Sequence, residues 1–243
     1  MNGQQMNGQQ MNGQQMKKSI GFGLLWVGLI GYAFIVAPPD QPDTWTLIQH
    51  LSTGQLAGIN PLIVTLFNVM GVLPMIYASV LVFDGRGQRL PAWPFMVGAF
   101  AIGAFALLPY LALRRPNPTF DGDRNGWLRW IDSHWNGLAI ALLSAGLLGY
   151  GAIAGDFSDF VQQWQTSRFI HVMSLDFCLL CLLFPSLLGD DMARRQWVNP
   201  LVFWAVSLVP LLGPAVYLAI RPPLPSQSVN PASPASSASQ PVS

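Results

Sequence analysis

A single carboxylate interrupts an otherwise apolar run: Asp176 lies eight residues into the stretch opening at Phe169. A charge near a bilayer centre costs about 2.5 to 3.5 kcal/mol on insertion scales, so an ionisable residue there is a functional candidate by default. At about 1.5 Å per residue it stands roughly 12 Å from the start of the run. Arg168 and His171 precede it. Those two are three residues apart and share a helical face, whereas Asp176 lies about 140° around the helix from His171. In a second apolar run Asn68 falls near the corresponding place, polar but uncharged. Asp176, His171, Asn68 and Arg168 are therefore the candidate ligand contacts. The competing reading of Asp176 is a polar contact between helices, to a neighbouring Ser, Asn or Tyr. For His171, close to the boundary, it is a loop or headgroup partner.

Other chemistry is sparse. Cys178 and Cys181 form a C-x-x-C pattern inside an apolar helix, where a thiol lacks the electropositive, exposed setting that reactivity needs; both are expected to act as small hydrophobes. His50, His134 and His171 lie in separate segments, so no metal site is expected. Phosphate loops, nucleophile elbows and paired carboxylates do not occur, and no catalytic residue is assigned. A net charge of +1 without a basic patch excludes nucleic acid as a partner. Residues 190–195, DDMARR, place Asp190 with Arg194 and Asp191 with Arg195 at i and i+4. Solvated ion pairs are expected there.

The elements that must position these residues belong in a membrane. With 51% apolar and 9% charged residues, the chain cannot cover a water-soluble globule. Six apolar stretches run at about 20–37, 59–83, 92–113, 137–154, 169–188 and 198–220. Each is long enough to cross roughly 30 Å of hydrocarbon, so the expected fold is an all-α, polytopic membrane protein with six transmembrane helices.

Residues 23–32, GLLWVGLIGY, match 141–150, ALLSAGLLGY, at six of ten positions, and YLALRRP at 110–116 parallels YLAIRPP at 217–223. An acid followed by basic residues recurs as Asp84, Arg86 and Arg89 and as Asp190, Arg194 and Arg195. Two three-helix repeats are expected, 19–116 and 136–223, joined by an interfacial linker at 117–135. Three crossings per copy predict inverted topology, with a two-fold axis in the membrane plane. Under that topology the twelve basic residues divide six to six between the two sides. The positive-inside rule then says little, and the lysines at 17 and 18 favour both termini on the cytoplasmic side. The polar triplet within 1–18 and the Pro/Ser/Ala tail at 224–243 are expected to lack regular structure. Trp45, Trp127, Trp130, Trp135 and Trp164 are expected as interfacial anchors.

Each half resembles a bacterial family of small three-helix membrane proteins of unknown function. The likeness rests on the Gly-Tyr pairs 31–32 and 149–150, the Asp at 176 replaced by Asn68, a basic turn, and the Tyr-Leu-Ala-x-Arg close. The chain also resembles a protein of cyanobacteria and plastids, which implies a thylakoid or plasma membrane. FIHVMSLDF at 169–177 is similar to a string in the plastid membrane family required for neoxanthin formation. That likeness carries a carotenoid association to His171 and Asp176 alone. The expectation is a non-catalytic accessory or scaffold protein that binds membrane lipid, pigment or another membrane subunit, with its cofactor left open. A small-solute transporter and an enzyme or binding protein for carotenoid or isoprenoid, with Asp176 handling a proton, are the alternatives.

Overall fold

The computed structural model describes residues 2–120 and 126–225, with side chains from Gly13 onward. Among these residues the fold is helical and contains no strand. Four stretches are long and apolar enough to cross a membrane: Gly13–Val36, Pro61–Asp84, His134–Ala154 and Arg168–Arg194. The first is the end of α1 (Asn2–Gly31) plus a π-helical turn, Tyr32–Val36. The second is α3 (Pro61–Asp84), capped by the Asn60 side chain on Leu62 N–H. The third is α7 (His134–Ala154), and the fourth joins α9 (Arg168–Leu183) to α10 (Pro185–Arg194) through Pro185. Short helices α2 (Thr44–Thr53) and α8 (Phe157–Thr166) follow the first and third.

Six full crossings are not found, because two apolar runs fold back on themselves. The first splits into α4 (Trp93–Ile102) and α5 (Ala104–Leu113). Gly103 between them has φ +52° and ψ −125°, a conformation that glycine reaches without a Cβ clash. The two helices then pack antiparallel: a Cβ on Gly98 would lie 3.0 Å from that of Ala106, and the Phe95 and Tyr110 rings sit 5.5 Å apart. The second run reverses between α11 (Pro200–Leu208) and α12 (Leu212–Ile220). Leu212 N–H donates to Pro210 C=O at 2.6 Å around Leu211, whose φ is +59°, a tight three-residue turn. Ten residues of helix rise about 15 Å, half the hydrocarbon thickness. Hydropathy averaged over about 20 residues cannot separate one crossing from two such half-helices.

The inverted arrangement is overturned by the same geometry. Helix α3 and the α9–α10 pair run in the same direction. At one end Ile63, Val64 and Ile170 share a hydrophobic cluster; midway Tyr77 O–H donates to Leu180 C=O at 2.5 Å; at the other end Arg194 meets Asp84 at 3.2 Å. Helix α1 runs antiparallel to α5, with Ser19 on Ala112 C=O and Trp26 on Phe105 C=O. Both hairpins therefore return to the end where α1 and α7 begin. Every basic residue described except Arg168 lies at that end, so the six-to-six division also falls; Arg124 is outside the described residues.

That end is held by a buried charge cluster of four arginines and four aspartates. Asp84 accepts from Tyr110 O–H at 2.7 Å and from Arg114, 26 and 30 residues further on. Asp191 accepts from Tyr217 O–H at 2.7 Å and from Arg221, again 26 and 30 residues further on. Arg194 bridges the two aspartates, and Arg114 also pairs with Asp190. Arg195 binds Asp191 at 2.8 Å and Asp132 at 2.7 Å. Burial alone would lower the Arg195 pKa, but the adjacent Asp191 and Asp132 outweigh it and push the group up. The pairs expected to be solvated are thus core, and Asp190 turns to Arg114 rather than to Arg194. The linker joins this end too: α6 (Gly126–Ile131) places Leu128 and Ile131 against Phe83 and Leu224.

The MNGQQ triplet, expected to lack structure, continues α1 back to Asn2; a helix already formed by the apolar span propagates without a new nucleation cost. Most of the 224–243 tail lies outside the described residues.

Candidate functional site

A cavity of about 750 Å³ opens between α1, α3, α9 and the tip of the α4–α5 hairpin. Its floor is Asp176, whose side chain is almost wholly buried. Asp176 Oδ1 accepts the Ala104 N–H at 2.8 Å. Ala104 opens α5, where backbone N–H groups have no partner inside the helix and the dipole favours negative charge, so the carboxylate caps the hairpin tip. Any side chain at Gly103 would collide with Asp176 Oδ2. The partner is thus a backbone N–H at a chain reversal rather than a neighbouring Ser, Asn or Tyr.

The walls are apolar, with Trp26, Ile30, Phe67, Met70, Phe105 and Met173 prominent. Trp26 Nε1–H is already committed to Phe105 C=O at 2.9 Å, so the middle of the cavity presents no free donor from that ring. Asp40, Thr44 and Arg168 stand at the outer end. Arg168 Nε–H donates to Pro38 C=O at 3.0 Å, and its backbone N–H to Pro39 C=O, tying α9 to the chain leaving α1. Phe34 and Phe100 line the opening and are themselves exposed on the lateral surface, 71% and 54%. The cavity therefore opens towards the apolar flank as well as the end of the bundle.

The four candidates part company here. Asp176 and Arg168 line the cavity; His171 and Asn68 do not. The His171 ring is stacked between Trp164, 4.3 Å away, and Tyr32, 5.8 Å away. Its Nδ1 faces Trp164 C=O at 2.9 Å, which can only accept, and its Nε2 meets Tyr32 O–H at 2.8 Å. It fastens α1 and α8 to the start of α9. Asn68 is exposed and bonds back to Val64 C=O within its own helix at 2.8 Å.

Trp164, expected as a membrane anchor, instead stacks on His171, while Trp45, Trp127, Trp130 and Trp135 are exposed as anchoring requires. Cys178 is exposed on the outer face of α9, and Cys181 is half-buried beside the Leu211 backbone. Both hairpin tips therefore meet α9. Among the described residues no three His, Cys, Asp or Glu side chains gather as a metal site would require. Gly103 and Gly71 were not singled out from the sequence, although a glycine centred in a run of 22 apolar residues is a signal of a reversal.

No family model matches the chain, and no curated relative or solved structure of similar fold was found.

Proposed function

We propose that this is a non-catalytic membrane protein that holds a lipid or pigment in the cavity between α1 and α9, as an accessory to the membrane or to a membrane subunit. The cavity is the observation that carries this reading. Its volume falls within the roughly 300 to 1,000 Å³ of small-molecule sites, its walls are apolar, and its side opening faces the region lipid would occupy. The polar inventory around it is one carboxylate at the floor and Asp40, Thr44 and Arg168 at the mouth. That set can orient a ligand, and it contains no paired acid and base for turnover.

The same reading takes the chain as two copies of one unit, each with two crossings, a surface helix and a half-span hairpin. Equal separations of Asp, Tyr and Arg, 26 and 30 residues in each half, support it. Two crossings bring each copy back to its starting side, so the copies are related by an axis along the membrane normal. The end rich in lysine and arginine then faces the cytoplasm or stroma under the positive-inside rule, and the resemblance to proteins of phototrophs favours a thylakoid or plasma membrane.

A second reading, a small-solute carrier, draws support from the two hairpins whose tips meet α9, since broken helices line carrier sites. The apolar walls of the cavity between α1 and α9 favour the first reading.

The test is an absorption spectrum and a lipid-extract mass spectrum of protein purified gently from its native membrane. A stoichiometric lipophile is expected. A colourless protein carrying only bulk lipid in variable amount would overturn the reading.

A further inference from the structure

The cavity floor restricts the kind of lipophile that fits, and this inference rests on the cavity being a ligand site. Asp176 has only 5% of its surface exposed and lines the cavity. Its Oδ1 is committed to Ala104 N–H, while Oδ2 takes no hydrogen bond from a described residue and lies against the Gly103 backbone at the hairpin tip. A carboxylate oxygen that faces an apolar cavity without a donor is costly, and a donor supplied by the ligand removes that cost. An anionic end group would have to shed its hydration against apolar walls at this depth, which is costly. The walls directly above the floor, Trp26 and Phe105 among them, are apolar, and the polar groups Asp40, Thr44 and Arg168 stand at the mouth.

We propose that the cavity takes an uncharged, long-chain lipophile bearing a hydroxyl group, which enters hydroxyl first and donates to Asp176 Oδ2. The chain of the molecule lies between Phe67, Met70 and Met173, and its far end leaves by the lateral opening at Phe34 and Phe100.

The probes are 1-hexadecanol, its methyl ether and palmitate, each titrated into the full-length protein in nanodiscs and read by native mass spectrometry. One mole of hexadecanol per protein is expected, bound about tenfold tighter than the ether, with palmitate weaker still. Asp176→Asn keeps an acceptor for Ala104 N–H but presents an amide donor in place of Oδ2. It is expected to reverse the preference in favour of the ether, a change that a purely structural role would not produce. Gly71→Phe serves if that variant fails to fold: Gly71 lines the cavity and a Cβ there meets nothing within 4 Å, so the ring has room to occupy the cavity while Asp176 is left unchanged. Loss of hexadecanol binding in Gly71→Phe is expected. Equal binding of alcohol and ether, or an alcohol preference that survives Asp176→Asn, would overturn the hydroxyl assignment while leaving the ligand site in place. Failure of every probe to saturate, or binding unaffected by Gly71→Phe, would overturn the ligand site itself.

Discussion

Helices α1 and α7 begin at the same charged end and pack alike on a hairpin, α1 on α5 and α7 on α12, yet they part at the opposite end. Helix α7 is drawn against α3. A Cβ on Gly151 would lie 2.6 Å from Thr65 Oγ1, Gly155 abuts Leu62, and Thr65 O–H donates to Leu147 C=O at 3.1 Å. Helix α1 stands away from α9. Trp26, Ile30, Ala33 and Phe34 of the first span line the cavity on one side and Phe169, Val172, Met173 and Asp176 of α9 on the other, so the space between the two helices is the cavity. Within the similar strings 23–32 and 141–150 the glycines at 28, 31, 146 and 149 all face open space; it is Gly151 and Gly155, just beyond the second string, that close α7 on α3, while Tyr32, His171 and the loop at Pro38 span the gap beside α1.

The largest expected effect tests what the two halves share. Removing one partner of a buried ion pair strands the others, at about 3 to 5 kcal/mol. Asp191→Asn, facing Arg194, Arg195 and Arg221, is expected to lower thermal stability in detergent by that order, and Asp84→Asn, facing Arg114 and Arg194, by somewhat less. Equal stability of wild type and both variants in a thermal melt would dissolve the common charged end.

The next effect separates the halves. Gly151→Val must displace Thr65 and is expected to cost about 1 to 3 kcal/mol through overpacking, whereas Gly31→Ala has open space and should be neutral or slightly stabilising. A matched pair of melting curves decides, and equal losses would mean that α1 is as closely seated as α7. Smaller again is Tyr32→Phe, which deletes the hydroxyl on His171 Nε2 and is expected to cost about 1 kcal/mol, with faster hydrogen exchange at residues 168–171 as the local signature. The smallest is Asn68→Leu. Exposed and bonded only to its own helix, it should change stability by less than about 0.5 kcal/mol and leave bound lipophile unchanged.

Composition was enough to read an all-helical chain with spans long and apolar enough for a membrane, and the Tyr and Arg of YLALRRP and YLAIRPP are the residues that meet Asp84 and Asp191. Asp176 was also legible, because a lone carboxylate in an apolar run has few uses. The hairpins were not. Nothing in the mean hydropathy of residues 92–113 differs between a crossing and a reversal, and only Gly103, with its positive φ, carries the distinction. From that one error the inverted topology and the even division of charge followed. Asn68 misled because its residue type was weighed before its phase: one position from Val69, it turns 100° away and faces outwards. His171 lies in the first turn of α9, but its stacking partners come from the π-helical turn after α1 and from α8, which no spacing within its own helix reveals.

The most direct test of the asymmetry is the position at which a membrane-soluble, photoactivatable alkanol attaches to the full-length protein in nanodiscs, mapped by peptide mass spectrometry. The account predicts saturable labelling of residues around the gap between α1 and α9, such as Phe34, Phe100 and Met173, with competition by unlabelled 1-hexadecanol. Labelling spread evenly over the outer faces of α1 and α7, Leu24 and Leu142 alike, and indifferent to competitor, would contradict it.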